Sequence, residues 1–312
     1  MQVYGDDSYQ PEKDKNRAKK MYSLPLWTCI VLFLVGSLGL DIVASLIVSP
    51  IVSAIHPITG VKGSEEYTQQ TIINSAWINF FAYLVIGGIL VAIVLIVDWG
   101  GLKKRVHSLG NYRFYLTVFF SFIGLMSLSY LWAIIEQVII TAGHIQQETN
   151  SNQAIIIKMF QYAPAPLIIE AVFFAPISEE LTYRLGLFEA VRRYSRVWAY
   201  VVVCLAFGLI HVFSSLIIDW QKMAALSQQS AEYLALQNDI YNELLAFPTY
   251  AIAGGVLAFA YEKEDNIFAS LFVHMANNIL AMVQISASLA ELNSSSSSAA
   301  MVSFLSKLLI RS

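Results

Sequence analysis

Long apolar stretches alternate with short polar ones along the whole chain. Apolar runs cover about 26–48, 72–97, 114–142, 154–176, 197–218, 244–261 and 267–289. Most reach or approach the ~20 residues that carry a helix across ~30 Å of hydrocarbon. The pattern predicts an all-α, polytopic transmembrane helical bundle of seven spans, or eight if the fourth run crosses fully. That run is interrupted by Pro164 and Pro166, so it reads as a short interfacial piece joined to a membrane helix. His56–Glu66 is a loop by its Pro and Gly content, and Asp98–Arg113 and Gly143–Gln153 are polar connections. Between the fifth and sixth spans, Asp219–Glu243 spaces Trp220, Met223, Leu226, Tyr233, Leu234, Leu236 and Ile240 among polar residues, as in an exterior amphipathic helix. Glu262–Asp265 reverses the chain before the last span, and Gly254–Gly255 permits close helix contact in the sixth.

Composition agrees with the pattern. The 312 residues are 57% hydrophobic and 13% charged, where a soluble domain is about a quarter charged. Mean hydropathy is +0.59. A net charge of -3 offers no basic face to neutralise phosphates, so no nucleic-acid partner is expected. The basic residues are unevenly placed. They gather before the first span (Lys13, Lys15, Arg17, Lys19, Lys20), in the 98–113 connection and at Arg192, Arg193 and Arg196. Such clusters mark the cytoplasmic side, which puts the N-terminus inside an integral membrane protein, with the plasma membrane as the expected site. The first apolar run is longer than a cleaved leader's, so it is read as a retained signal-anchor. Cys29 and Cys204 sit in apolar runs and read as small apolar side chains. The expected organisation is a basic cytoplasmic segment at 1–23, three N-terminal spans at 24–153, a core at 154–290 and a tail at 291–312. In that tail a serine run precedes a short apolar stretch, Met301–Ile310, read as interfacial or disordered.

Charge inside such a chain needs a reason. Glu179 and Glu180 directly follow the fourth apolar run; on a helix Glu180 and Arg184 share a face and can neutralise each other, while Glu179 turns away with no local cation. A carboxylate left unpaired beside a low-dielectric region resists ionisation and becomes a usable base near neutral pH. The same residues also fit an ordinary helix start, with Ser178 as N-cap and acids in the first turn. His56, His107 and His144 fall in connections, but His211 and His274 fall within spans. His211 shares a face with Phe207, and His274 shares one with Asn278. Asp41 lies deep in the first span, where a lone acid faces other helices or a wet cavity. Asn74 and Asn79 are assigned to packing between helices.

Glu179-Glu180-x-x-x-Arg184, Phe207-x-x-x-His211 and His274-x-x-x-Asn278, in this order on successive late spans, resemble the CAAX-processing and bacteriocin-processing (CPBP, or Abi) intramembrane proteases, which include the type II CAAX prenyl endopeptidases. The resemblance covers roughly 160–290. It implies an endopeptidase acting on a peptide or membrane-associated protein at a membrane-embedded pocket. In that scheme Glu179 with His211 activates a water, His274 and Asn278 stabilise the oxyanion, and Glu180, Arg184 and Phe207 support the site. A cytoplasm-facing pocket is expected.

A zinc site built from Glu179, His211 and His274 is the metal-dependent alternative. The histidines lie on different spans and Asn278 is a poor zinc ligand, so a metal-free glutamate mechanism is favoured. Two other functions are compatible with the same bundle. A non-catalytic membrane scaffold or bacteriocin-immunity protein would bind a peptide without needing Glu179. A transporter would also bury acids and histidines, but it typically shows repeats in its two halves, and none is seen.

Overall fold

The computed structural model describes residues 24–228 and 230–294; the basic segment at 1–23 and the apolar stretch Met301–Ile310 lie outside them. Eight helices make up the described chain: α1 (Leu26–Ile55), α2 (Glu65–Ser108), α3 (Tyr112–Gly143), α4 (Ser151–Tyr162), α5 (164–192), α6 (Arg196–Met223), α7 (Ala231–Glu264) and α8 (Ile267–Ser294). Six of them, all but α4 and α5, are long and apolar enough to cross a membrane. The chain is an integral membrane helical bundle, as the hydrophobic pattern predicts.

Local chemistry explains several boundaries. Ser64, Asn111, Asn150, Ser195 and Ser230 each accept a backbone N–H in the first turn of the helix that follows, from α2 to α7 with α5 excepted. His144 and Asp265 adopt left-handed backbone at the ends of α3 and α7, where a helix can be closed by its own carbonyls.

Three expectations are corrected. The 98–113 connection is mostly helical: α2 kinks at Asp98 (φ -134°, ψ 36°) and continues to Ser108, with Arg105 bonded back to Asp98 at 2.8 Å. No separate exterior helix occupies 219–243; α6 runs on to Met223, and after a short turn α7 runs unbroken from Ala231 through the sixth span, carrying Pro248 inside it. Apolar spacing alone could not distinguish a helix lying on a surface from the extension of a spanning one. The fourth run does not end before the two glutamates either. Helix α5 starts at Pro164, passes Pro166 and Pro176 and continues to Arg192, so Ser178 is interior and not an N-cap. It accommodates this by widening into π turns at Glu170–Phe174 and Leu181–Phe188, a distortion that concentrates at functional sites.

Polar contacts tie the helices at both ends of the bundle. At the end carrying the basic clusters, Asn266 donates to Arg105 O and Ser108 Oγ, Arg196 pairs with Glu262, and Thr117 donates to Glu264 at 2.6 Å. At the opposite end, Asn238 and Asn242 hold the Gln146 backbone, Glu243 accepts the Ser151 N–H, and the Trp132 indole donates to Leu245 O at 3.0 Å.

Small residues set the closest helix approaches. A Cβ placed on Gly254 of α7 would stand 3.0 Å from Phe207 Cβ and 3.2 Å from Val203 O of α6; one on Gly186 of α5 would meet the Phe33 backbone of α1 at 2.8 Å. The space beside Gly88 is open. Gly254→Leu and Gly186→Leu are therefore expected to lose about 1–3 kcal/mol and lower the thermal midpoint in detergent. Gly88→Ala should hold or raise it. Equal midpoints for all three would refute this packing.

Candidate functional site

Helix α5 brings the paired glutamates to the middle of the bundle. Glu180 is fully buried and receives Nε and Nη2 of Arg184, itself fully buried, at 2.9 and 3.3 Å. This is the i, i+4 pair that the spacing predicts. Arg184 also lies 5.2 Å over the Phe207 ring of α6. Glu180 has a further partner that the spacing does not reveal: His274 Nδ1 of α8, at 2.9 Å from Oε1. With an anion on that side, Nδ1 carries the proton and donates it, and the ring turns Nε2 toward Glu179.

Glu179 faces the other way, as the helical repeat requires. Its Oε2 is 3.8 Å from His274 Nε2, and its Oε1 accepts a long hydrogen bond of 3.4 Å from the Tyr83 hydroxyl of α2. Unlike Glu180, its side chain keeps 17% of its surface exposed. His211 is held by its own helix: Nδ1 is 2.7 Å from Phe207 O, which leaves Nε2 free. Its ring stacks on Tyr250 of α7 at 4.3 Å and 10°. The Phe207 ring contacts both imidazoles, with centroids 4.9 Å from His211 and 5.9 Å from His274. The two histidines thus share one aromatic neighbour although His211 lies fifteen residues into α6 and His274 seven into α8.

Glu179, His211, His274, Asn278 and Phe207 all line one cavity of about 1040 Å³, while Glu180 and Arg184 form the buried layer behind it. Asn278 donates Nδ2 to Ala171 O at 2.8 Å, in the π turn of α5, where the widened backbone presents a carbonyl to a neighbour. Asp41 lines the same cavity. The cavity wall includes Asn150, Asn152 and Gln153. Those residues lie at the end of the bundle opposite the basic clusters, so the cavity reaches toward that end.

Tyr83, Tyr250 and Glu170 belong to the same wall and escape sequence reasoning. The tyrosines carry no spacing signal within apolar runs. Glu170 does carry one, as the sole charge between Pro164 and Ser178. Among the described residues, no three His, Cys, Asp or Glu side chains gather closely enough to share a metal ion. The zinc set of Glu179, His211 and His274 is thus not assembled as the side chains stand.

Comparison with known proteins bears on this region. Residues 160–280 match the family model of the type II CAAX prenyl endopeptidase, Rce1-like proteins. The resemblance carried by the three motifs therefore holds where the cavity residues lie. The UPF0177 protein YvdC of Lactococcus lactis subsp. lactis (strain IL1403) is 24% identical over 138 residues, 44% of this chain and 42% of that protein. The chain thus spans under half the length of the curated relative it matches. No solved structure matches.

Removing one partner from a buried ion pair leaves an uncompensated charge and costs about 3–5 kcal/mol. Arg184→Met is expected to destabilise the protein by that much in detergent unfolding. Glu180→Gln added to it should recover part of the loss. A single variant as stable as the parent would show that the pair is not holding the core.

Proposed function

We propose that this chain is an intramembrane endopeptidase in which Glu179 acts as general base. The observation that carries the reading is the placement of Glu179 beside His274 Nε2 at 3.8 Å on the wall of a shared cavity, within the segment that matches the CAAX-type proteases. A water held between Glu179 and His211 loses a proton to the carboxylate as its oxygen attacks the scissile carbonyl. The carbonyl π electrons move to oxygen. The carboxylate hands that proton on to Nε2 of His274, whose new N–H meets the resulting oxyanion together with the second amide hydrogen of Asn278, whose first is committed to Ala171 O. Collapse of the tetrahedral species breaks the C–N bond, and the proton taken by Glu179 passes to the leaving amine.

Glu180 and Arg184 act through His274. The carboxylate fixes the imidazole tautomer and ring plane, and the guanidinium keeps that carboxylate anionic. Every step uses the chain's own acid, imidazoles and amide, and none needs a metal. The substrate class is a peptide or membrane-associated protein at the bilayer. The expected site is the plasma membrane, with the N-terminus in the cytoplasm.

The same bundle acting as a scaffold or immunity protein would bind a peptide without chemistry. Substitution separates the two: Glu179→Ala and His211→Ala should each lower cleavage by ~100-fold or more while the protein still inserts. Peptide termini in membrane fractions, compared between parent and Glu179→Ala cells, provide the measurement. Unchanged termini together with retained cellular activity would favour the scaffold. Chelator treatment should leave cleavage intact; stoichiometric zinc whose removal abolishes it would overturn the metal-free mechanism.

A further inference from the structure

Glu170 has no structural task that accounts for its position. It lies on the cavity wall with 7% of its surface exposed, and its Oε2 is buried without any hydrogen-bond partner. An unpaired buried carboxylate opposes folding. A site that keeps one gains when a ligand supplies the missing donor. The surroundings specify the sign of that ligand. Asp41, Glu136, Glu170 and Glu179 all line the cavity, and among the described residues no Lys or Arg does. Arg184, the nearby cation, is turned to Glu180 behind the wall. A substrate carboxylate entering here would find repulsion, and an ammonium or guanidinium would find an acceptor that has no partner of its own.

Glu170 stands nine residues before Glu179 on the same helix. At ~1.5 Å per residue that is roughly 13 Å, less some shortening by the π turn. An extended peptide covers such a distance in about three to four residues. Glu170 is thus displaced along the helix from Glu179 by a length that a few residues of one bound chain would cover.

We propose that Glu170 forms a specificity subsite that accepts a basic side chain, lysine or arginine, of a polypeptide bound in the cavity. The subsite is set about three to four residues from the bond that Glu179 addresses. Only that register rests on the protease reading. A charge-assisted contact of this kind favours the matching ligand by roughly tenfold or more.

The test reads binding in the cleavage-deficient Glu179→Gln protein, reconstituted in nanodiscs. The probe is a short acetylated and amidated apolar peptide, dye-labelled, with one lysine stepped along its length and norleucine at the same positions as reference. One lysine register should bind about tenfold tighter than norleucine. Adding Glu170→Gln should abolish that ratio, and adding Glu170→Asp should keep part of it. Because each ratio compares two peptides on one protein, a lower yield of folded variant does not alter it. The proposal is overturned if no register prefers lysine, or if the preference survives Glu170→Gln. Cleavage of the preferred peptide by the parent is scored separately. Tight lysine-dependent binding without any cleavage would sink the protease reading and leave the subsite standing.

Discussion

The contact on which the site depends is the buried array of Arg184, Glu180 and His274. Two opposite charges four residues apart on one helix neutralise each other, and the carboxylate still has lone pairs for an imidazole from another helix. Each member constrains the next. Without the guanidinium, Glu180 would be an isolated charge in a dry core; without Glu180, nothing fixes which nitrogen of His274 faces the cavity. A buried ion pair is weak evidence for stability. Its value here is directional, because it converts the helical repeat of α5 into a defined orientation of a ring on α8.

The π turns of α5 serve the same end. A regular helix would carry Ala171 O along its axis, committed to an amide one turn on. Widened backbone at Glu170–Phe174 offers that carbonyl to Asn278, and a second wide stretch follows the paired glutamates. Prolines at 164, 166 and 176 remove amide donors along the same helix. The segment that carries the paired glutamates is thus the least regular helix among the described residues. Irregular backbone inside a membrane protein is tolerated where it is buried in protein or lines a cavity.

The sequence revealed much of this. Glu179 and Glu180 had to diverge on any helix, Glu180 and Arg184 had to meet, and the three motifs in order were legible without coordinates. Six of the seven expected spans were legible too, since hydrocarbon thickness dictates their length; the fourth run, broken by prolines, is not a helix long and apolar enough to cross. Boundaries failed where composition does not report direction: residues 231–243 have polar spacing that fits a surface helix and equally fits the wet end of α7. The Glu180–His274 bond and the Tyr83 contact join positions 94 and 96 residues apart. Local spacing carries no information about such pairs. Glu170 was visible as a lone charge between prolines, but only its missing partner in three dimensions gives it meaning.

Helix α3 is fastened to α7 near its two rims, by Thr117 to Glu264 and by Trp132 to Leu245 O. Among the described residues, no side chain of α3 between Thr117 and Trp132 hydrogen-bonds to another helix. Yet Leu125, Met126, Ser129 and Tyr130 from that stretch border the cavity. Between those two bonds the helix is held to its neighbours by dispersion contacts. On that side the wall of the chamber therefore rests on side-chain packing alone, the interaction least demanding of direction.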